Sequence, residues 1–423
     1  MRLLHTSDWH LGQALHSYDR SFEHQQFLDW LVTTLVEQQA DALLIAGDIF
    51  DTANPSAAAQ KQLYRFLQQA RKRCPALDIV VIAGNHDSPG RLEAPGPLLE
   101  DQGTSMIGHV LRGNDGAIDV ERMVVPLHDA AGKVAAWCLA VPFLRPGDLP
   151  RPAPDTDADA ADDAAPAPDP YMAGIGLLYS QVYAAAAAKR EAGQHIVAMG
   201  HCHMVDGQAS LDSERRIVIG GTEALSAAVF DPAIAYVALG HLHLAQRVGQ
   251  SEHRRYSGSP LPLSFAEVGY HHQVLRIDLA EGGTEVTPLA VPRAVDLLRV
   301  PATPQPLDQA LLALAELELA DLPFERQPFL EVRVLLDGPE PGLRGRIEQV
   351  LAGRPVRLAK IEPTRKSVAA ATHEPALSLD QLAQLQPDDI FRRLYAQRFG
   401  EAAPDEQLRA FAELLHDDGK GAV

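Results

Sequence analysis

The sequence predicts an α/β sandwich flanked by helices, and three observations carry that expectation. Apolar β-type runs alternate with helical patterns over roughly the first 280 residues. Five of those runs lead directly into side chains of metal-ligating type, and the patterning changes character near residues 290–300. The runs are Leu3-Leu4, Ala42-Leu43-Leu44-Ile45, Ile79-Val80-Val81-Ile82, Ile196-Val197-Ala198 and Tyr236-Val237-Ala238-Leu239. Between the first two, Phe27, Leu28, Leu31, Val32, Leu35 and Val36 recur at helical spacing. A second helix is expected after Asn54 as N-cap and Pro55 at the first helical position, with Leu63, Phe66, Leu67 and Ala70 on its apolar face.

The stretch 146–170 is rich in Pro, Ala and Asp and reads as a flexible acidic surface insertion, because it lacks the apolar content that offsets chain ordering. This places a sandwich domain at 1–288. A small α+β domain follows at 289–370. Its expected elements are a helix around Leu311, Leu312, Ala315 and Leu317, and a half-buried strand alternating over Leu330–Leu336. A helix on Leu343, Ile347, Val350 and Leu351 and a strand at Val356–Leu358 complete it. Short helices fill 375–418, with apolar stripes on Ile390, Phe391, Leu394 and Tyr395 and on Leu408, Phe411 and Leu415. Helices this short must dock on something, either this chain or another polypeptide, and the pattern leaves both open.

Composition narrows the class. At 423 residues, two or three domains are the prior, and no run approaches the roughly 18–20 apolar residues of a membrane span. The opening MRLLHTSDWH does not read as a signal peptide, and three widely spaced cysteines (Cys74, Cys138, Cys202) fit a reducing cytoplasm. Net charge is -19, from 37 basic and 56 acidic residues, which taken alone argues against nucleic acid as a partner. Seven of the aspartates fall between Asp148 and Pro170, and bound cations would reverse the potential of an acidic active site.

The chemistry is positional. The five runs end in Ser7-Asp8-Trp9-His10, Gly47-Asp48, Gly84-Asn85-His86-Asp87, Gly200-His201-Cys202-His203 and Gly240-His241-Leu242-His243. Ligands of open α/β sheets bind beyond the carboxyl ends of the strands, so these groups converge on one site. Asp8 and His10, like His241 and His243, are two apart and project to one side of an extended segment. Carboxylate, amide and imidazole donors without thiolate suit Mn, Fe, Zn or Mg. A shared carboxylate with ligands on either side suits two ions about 3.5–4 Å apart. A lone Asp after a strand is usually a turn residue and a lone His-X-His is usually surface; five repeats of the chemistry make that reading poor. His203 follows His201 by two, so the spacing alone does not separate them as ligands. Cys202 reads as a buried thiol, and Arg91 as a candidate phosphate contact or a solvated arginine.

This combination of motifs resembles the calcineurin-like metallophosphoesterase superfamily. The longer strings LHTSDWHLG, AGDIFDTANP, AGNHDSPGRL, GHLH and YSGSPLPLSF resemble its Mre-type nucleases over almost the whole chain. The resemblance implies a metallophosphoesterase sandwich with a capping domain. Asp8, His10, Asp48 and His243 would hold one divalent ion, with Asp48 bridging to a second held by Asn85, His201 and His241. His86 would act on the phosphate rather than ligate, Asp87 would orient His86 or serve the turn, and the ions would be Mn2+. Asp51 stands where some relatives carry a histidine near the leaving group. The resemblance further implies a DNA nuclease subunit that digests ends and hairpins in repair. Its C-terminal helices would grip an SMC-like partner ATPase, and two copies would pair within a heterotetramer. A small-molecule phosphodiesterase or phosphatase with the same two metals is the alternative reading, and would account better for the acidic surface. A non-catalytic scaffold is a third reading, opposed by the presence of every expected ligand type.

Overall fold

The computed structural model describes residues 1–150, 169–205, 207–208 and 224–365, with isolated positions between 391 and 411. Met1–Val334 with Gly342–Glu362 form one compact unit, and Leu335–Pro341 with Pro363–Val423 a second.

Two six-stranded sheets make the sandwich. The first runs, in spatial order, Gly283–Ala290, Gln273–Ala280, Arg2–Thr6, Ala42–Ala46, Asp78–Ile82 and Thr104–Ile107; its last four strands are parallel. The second runs Gln246–Val248, Ser251–Tyr256, Tyr236–Gly240, His195–His201, Val134–Ala140 and Val124–His128, with its four middle strands parallel. Parallel central strands put their carboxyl ends at one edge of each sheet. That is where all five motif loops begin.

The period of two along a strand divides the core. Ala42, Leu44 and Ala46 join Val80 and Ile82 in packing toward Val197, Met199, Val237 and Leu239 of the other sheet. Leu43 and Ile45 instead join Ile79 and Val81 beneath Phe27, Leu31, Leu35, Leu63 and Phe66 of the helices Ser21–Glu37 and Ala57–Arg73. Both faces of these strands are buried, which is why their sequence is a continuous apolar run. The helix Pro170–Lys189 buries Ile175, Leu178 and Val182 beside the second sheet.

Several expectations need correction. The second helix starts at Ala57, and its N-cap is Ser56, whose Oγ accepts the Ala59 amide; Asn54 and Pro55 precede it. Pro170 ends no insertion: it opens a 20-residue helix capped by Asp169, whose carboxylate accepts the Tyr171 amide. At the other end, Pro146–Asp148 form a turn of 3-10 helix, and residues 151–168 lie outside the described ones. In the α+β region a three-stranded sheet is ordered Leu297–Pro306, Phe329–Leu336, Arg357–Arg365, with helices Leu307–Ala315 and Leu343–Leu351. The first of these strands has no counterpart in the apolar pattern. The middle strand alternates from Val332 to Leu335 as expected, but Glu331 departs from the pattern: it is 1% exposed, paired with Arg299 at 2.8 Å and Lys360 at 3.3 Å. The expected helices of 375–418 lie almost wholly outside the described residues. Within the second unit, the rings of Phe391 and Phe411 stack with centroids 4.3 Å apart.

Candidate metal centre

The loops that carry the motifs are held in unfavourable backbone geometry. Six non-glycine residues among those described have positive φ, and four are site candidates: Asp8 at 54°, His10 at 47°, Asp48 at 50° and His241 at 103°. Each costs about 1–3 kcal/mol unless the surroundings over-determine it, and such strain concentrates at functional sites. Here the surroundings are visible. Trp9, wholly buried between Asp8 and His10, packs edge-on against Phe27 and Phe66 and donates its indole N–H to Thr6 at 3.0 Å. The ring anchors in the helix layer while its two neighbours face the site. The backbone of Asp8 and His10 is tied to Gly47 and Asp48 by 3.0 Å hydrogen bonds. Gly240 comes so close to the Ala46 carbonyl of the opposite sheet that a Cβ there would overlap it.

Two clusters of donors result. Asp8, His10 and His243 offer ligand atoms within 4.8 Å of one another, and Asp48, His201 and His241 do the same. Asn85 belongs with the second group: its Oδ1 is 2.9 Å from His201 Nε2 and 3.1 Å from His241 Nδ1. Asp48 lies between the groups, with Oδ2 3.3 Å from His201 Nε2 and 3.7 Å from His10 Nε2. His10 Nε2 is buried and has no hydrogen-bond partner, an arrangement that normally costs about 1–3 kcal/mol. A divalent cation would satisfy it, and the donor set of carboxylate, amide and imidazole fits such an ion.

The second nitrogens of three rings are fixed. His201 Nδ1–H donates to the Ala46 carbonyl at 2.9 Å, leaving Nε2 toward Asp48 and Asn85. His10 Nδ1 sits 3.2 Å from the Asp51 carboxylate, and His243 Nδ1 sits 2.9 Å from Glu267. Burial would raise the Asp48 carboxyl, but the His201 charge and hydrogen bond, with His10 and His86, hold it far below the usual range. Reciprocally, burial opposes protonation of His201, and Asp48 overcomes this and pushes the ring up to about 9. Burial and the neighbouring His201 hold His241 well below the ordinary imidazole value.

The remaining candidates are placed as follows. His86 is half-buried, its ring 4.9 Å from that of His10; its amide donates to the Asp48 carboxylate at 2.9 Å and its Nδ1–H to the Asp51 carbonyl at 2.7 Å. Together with His10 and Asp51 it forms a third donor cluster. Asp87 does not orient His86. Its carboxylate accepts the amides of Gly84, Ile49 and Phe50 at 2.8–3.1 Å, clamping the loop of Asp48 to that of Asn85. Arg91 is exposed on the short helix Pro89–Glu93. His203 stays out of both clusters, its Nε2 3.4 Å from the Gly207 carbonyl. Burial pushes the Cys202 thiol up to about 12, so it offers no thiolate, and it also lies outside the clusters.

The supporting residues carry little signal in the sequence. Ser7 donates to Asp8 and meets Ser257 at 2.9 Å, and the Asp8 carboxylate also accepts the His241 amide. Ser257 falls within the string YSGSPLPLSF but has no ligand role in the sequence reading, and Glu267 lies just beyond that string.

Comparison with known proteins gives the family. Residues 1–245 match the calcineurin-like phosphoesterase family, and residues 293–399 match a C-terminal domain described as that of the type 5 capsule protein repressor. The chain is similar to the SbcD component of the nuclease SbcCD of Rhodobacter capsulatus, at 40% identity over 92% of this chain and 93% of that protein. It is likewise similar to the proteins of the same name from Escherichia coli K12 (32%, covering 98% of each chain) and Bacillus subtilis (30%, covering 98% of this chain and 97% of that one). The chain belongs to the calcineurin-like phosphoesterases and, among them, to the family of the SbcD component of the nuclease SbcCD.

Proposed function

We propose that this chain is the nuclease component of an SbcC–SbcD-type complex, hydrolysing phosphodiester bonds at DNA ends and hairpins through two divalent ions, Mn2+ in the cell. Membership in the family makes it a metal-dependent phosphodiesterase. The observation that carries the finer reading is the convergence of two donor clusters on one carboxylate, Asp48, with the half-buried His86 beside His10 and its amide on Asp48. Asp8, His10, Asp48 and His243 would hold one ion, and Asp48, Asn85, His201 and His241 the other. Such ions supply Lewis acidity toward phosphoryl oxygens and a water acidic enough to attack near neutral pH.

The protein's own side chains do the rest. Because a carbonyl can only accept, the Asp51 oxygen fixes the proton of His86 on Nδ1. Nε2 is then the atom that, once protonated, donates to a phosphate oxygen or to the departing one. The strained loops hold the donors before substrate arrives, so little reorganisation is left for the reacting step. Residues 1–288 would form the nuclease domain and 289–370 a cap over it. Residues 375–418 would bind the coiled-coil ATPase partner, with two copies pairing in a cytoplasmic heterotetramer. Among the described residues no helix is long and apolar enough to cross a membrane.

The test is hydrolysis of labelled hairpin DNA beside a chromogenic phosphodiester, with added manganese, by the wild-type chain and His86→Gln. We expect metal-dependent cleavage of both substrates. The variant should lose about 10²–10⁴-fold, the worth of a positioned acid, while still binding two ions. Cleavage of the small ester alone, in the presence of the partner ATPase, would move the assignment to a small-molecule phosphodiesterase. A chain truncated after residue 375 should keep the chemistry and lose the partner; co-purification of the two would refute that role for 375–418.

A further inference from the structure

Three rings at the centre are steadied on their far sides, but not by the same kind of group. His201 leans on a main-chain carbonyl, that of Ala46. His243 leans on Glu267, a carboxylate with no solvent exposure, at 2.9 Å. The other oxygen of Glu267 accepts the Leu263 amide at 2.7 Å, so the carboxylate is oriented from two directions. The segment that carries it is itself fixed. Ser264 caps the 3-10 turn Phe265–Glu267, the Tyr270 amide returns to the Glu267 carbonyl, and the Ser259 amide reaches the His243 carbonyl. Arg20, fully buried against Glu23, holds the Pro262 carbonyl at 2.7 Å. This buried structure sets the Glu267 carboxylate against the imidazole of His243.

We propose that Glu267 is a positioning residue for His243: it keeps the proton on Nδ1, turns Nε2 toward Asp8 and His10, and raises the ring's basicity as a ligand. The inference rests on the dinuclear reading above. Carboxylate partners of ligating histidines are typically worth about 10–100-fold in metal affinity. The effect should fall on the ion at Asp8, His10 and His243, the group to which His243 belongs.

The experiment is Mn2+ titration of the full chain by calorimetry, for wild type, Glu267→Ala and Glu267→Gln. It is paired with nitrogen NMR of the histidines in chelator. Wild type should take two ions, with the His243 ring as the Nδ1–H tautomer. Glu267→Ala should weaken one ion about 10–100-fold, leave the other unmoved and lose the tautomer signature. Glu267→Gln keeps one acceptor oxygen and should fall in between. Unchanged affinity for both ions in a Glu267→Gln chain that melts like wild type in chelator overturns the proposal. So does equal weakening of both ions. If the wild-type chain itself fails to take two ions, the dinuclear reading falls first, and the failure is seen before any variant is compared.

Discussion

The two sheets of the sandwich contribute different chemistry to one site. The loops of the first sheet bring every oxygen donor, Asp8, Asp48 and Asn85, together with His10 and His86. The loops of the second bring imidazoles alone, His201, His241 and His243. Each of the two clusters flanking Asp48 draws on both sheets, whereas the third, His10 with Asp51 and His86, belongs to the first sheet alone. Cation binding is therefore coupled to the packing of one sheet on the other, and folding energy and metal affinity are linked quantities. An ion at 100 times its Kd would add about 2.7 kcal/mol to stability.

The sharpest way to break this comparison is at the carboxylate that lies between the two clusters, Asp48. Asp48→Asn removes the charge between the groups while nearly preserving shape. Hydrolysis should fall by more than about 10³-fold, at least what loss of a single preorganised electrostatic donor costs. Both ions should weaken together in a manganese titration. Retention of one ion at wild-type affinity would show that Asp48 serves only one group.

A smaller effect should follow from pushing the sheets apart without touching a ligand. A Cβ on Gly240 meets the Ala46 carbonyl, the same oxygen that His201 Nδ1 uses. Gly240→Ala should cost about 3 kcal/mol in chemical denaturation of the metal-free chain, at the upper end of ordinary overpacking. It should also weaken the ion at His201 and His241 more than the one at His243. Equal stability of variant and wild type would mean the sheets yield locally and the linkage between packing and binding is slack.

How much of this is legible in the sequence depends on the kind of contact. The motif residues are readable because each follows a short apolar run, and a fully buried parallel strand writes itself as such a run. Edge strands such as Gly283–Ala290 and Thr104–Ile107 carry mixed faces and leave no comparable signal. The separation of His201 from His203 needs three dimensions, since both follow the same strand two residues apart. Glu267 is invisible for a related reason. It lies 24 residues from His243 and outside the quoted motifs, and only folding makes its carboxylate a partner. Asp87 shows the converse: adjacent in sequence to His86, it spends its oxygens on three backbone amides instead.

The smallest effect tests whether the helix layer outside the first sheet is as intolerant of charge as the core between the sheets. His5 lies in that core, with Nδ1 2.9 Å from the Tyr236 hydroxyl, and His24 is a buried residue of the helix Ser21–Glu37, with neither ring nitrogen in a well-formed hydrogen bond among the described residues. Burial, before any neighbouring charge, pushes both down to about 3. A depressed folded-state value means each ring is neutral when folded and charged when unfolded below about 6.5. Its contribution to stability is thus complete above that pH and lost progressively as pH falls toward 3. Each ring should contribute a slope of about 1.4 kcal/mol per pH unit between roughly pH 5.5 and 4. His24→Leu removes one of them at little cost in hydrogen bonding. Denaturant midpoints in chelator should converge with wild type near neutrality and rise above it in acid by that slope. Parallel curves would mean water reaches His24 in acid and that the outer layer, unlike the inter-sheet core, admits a charge.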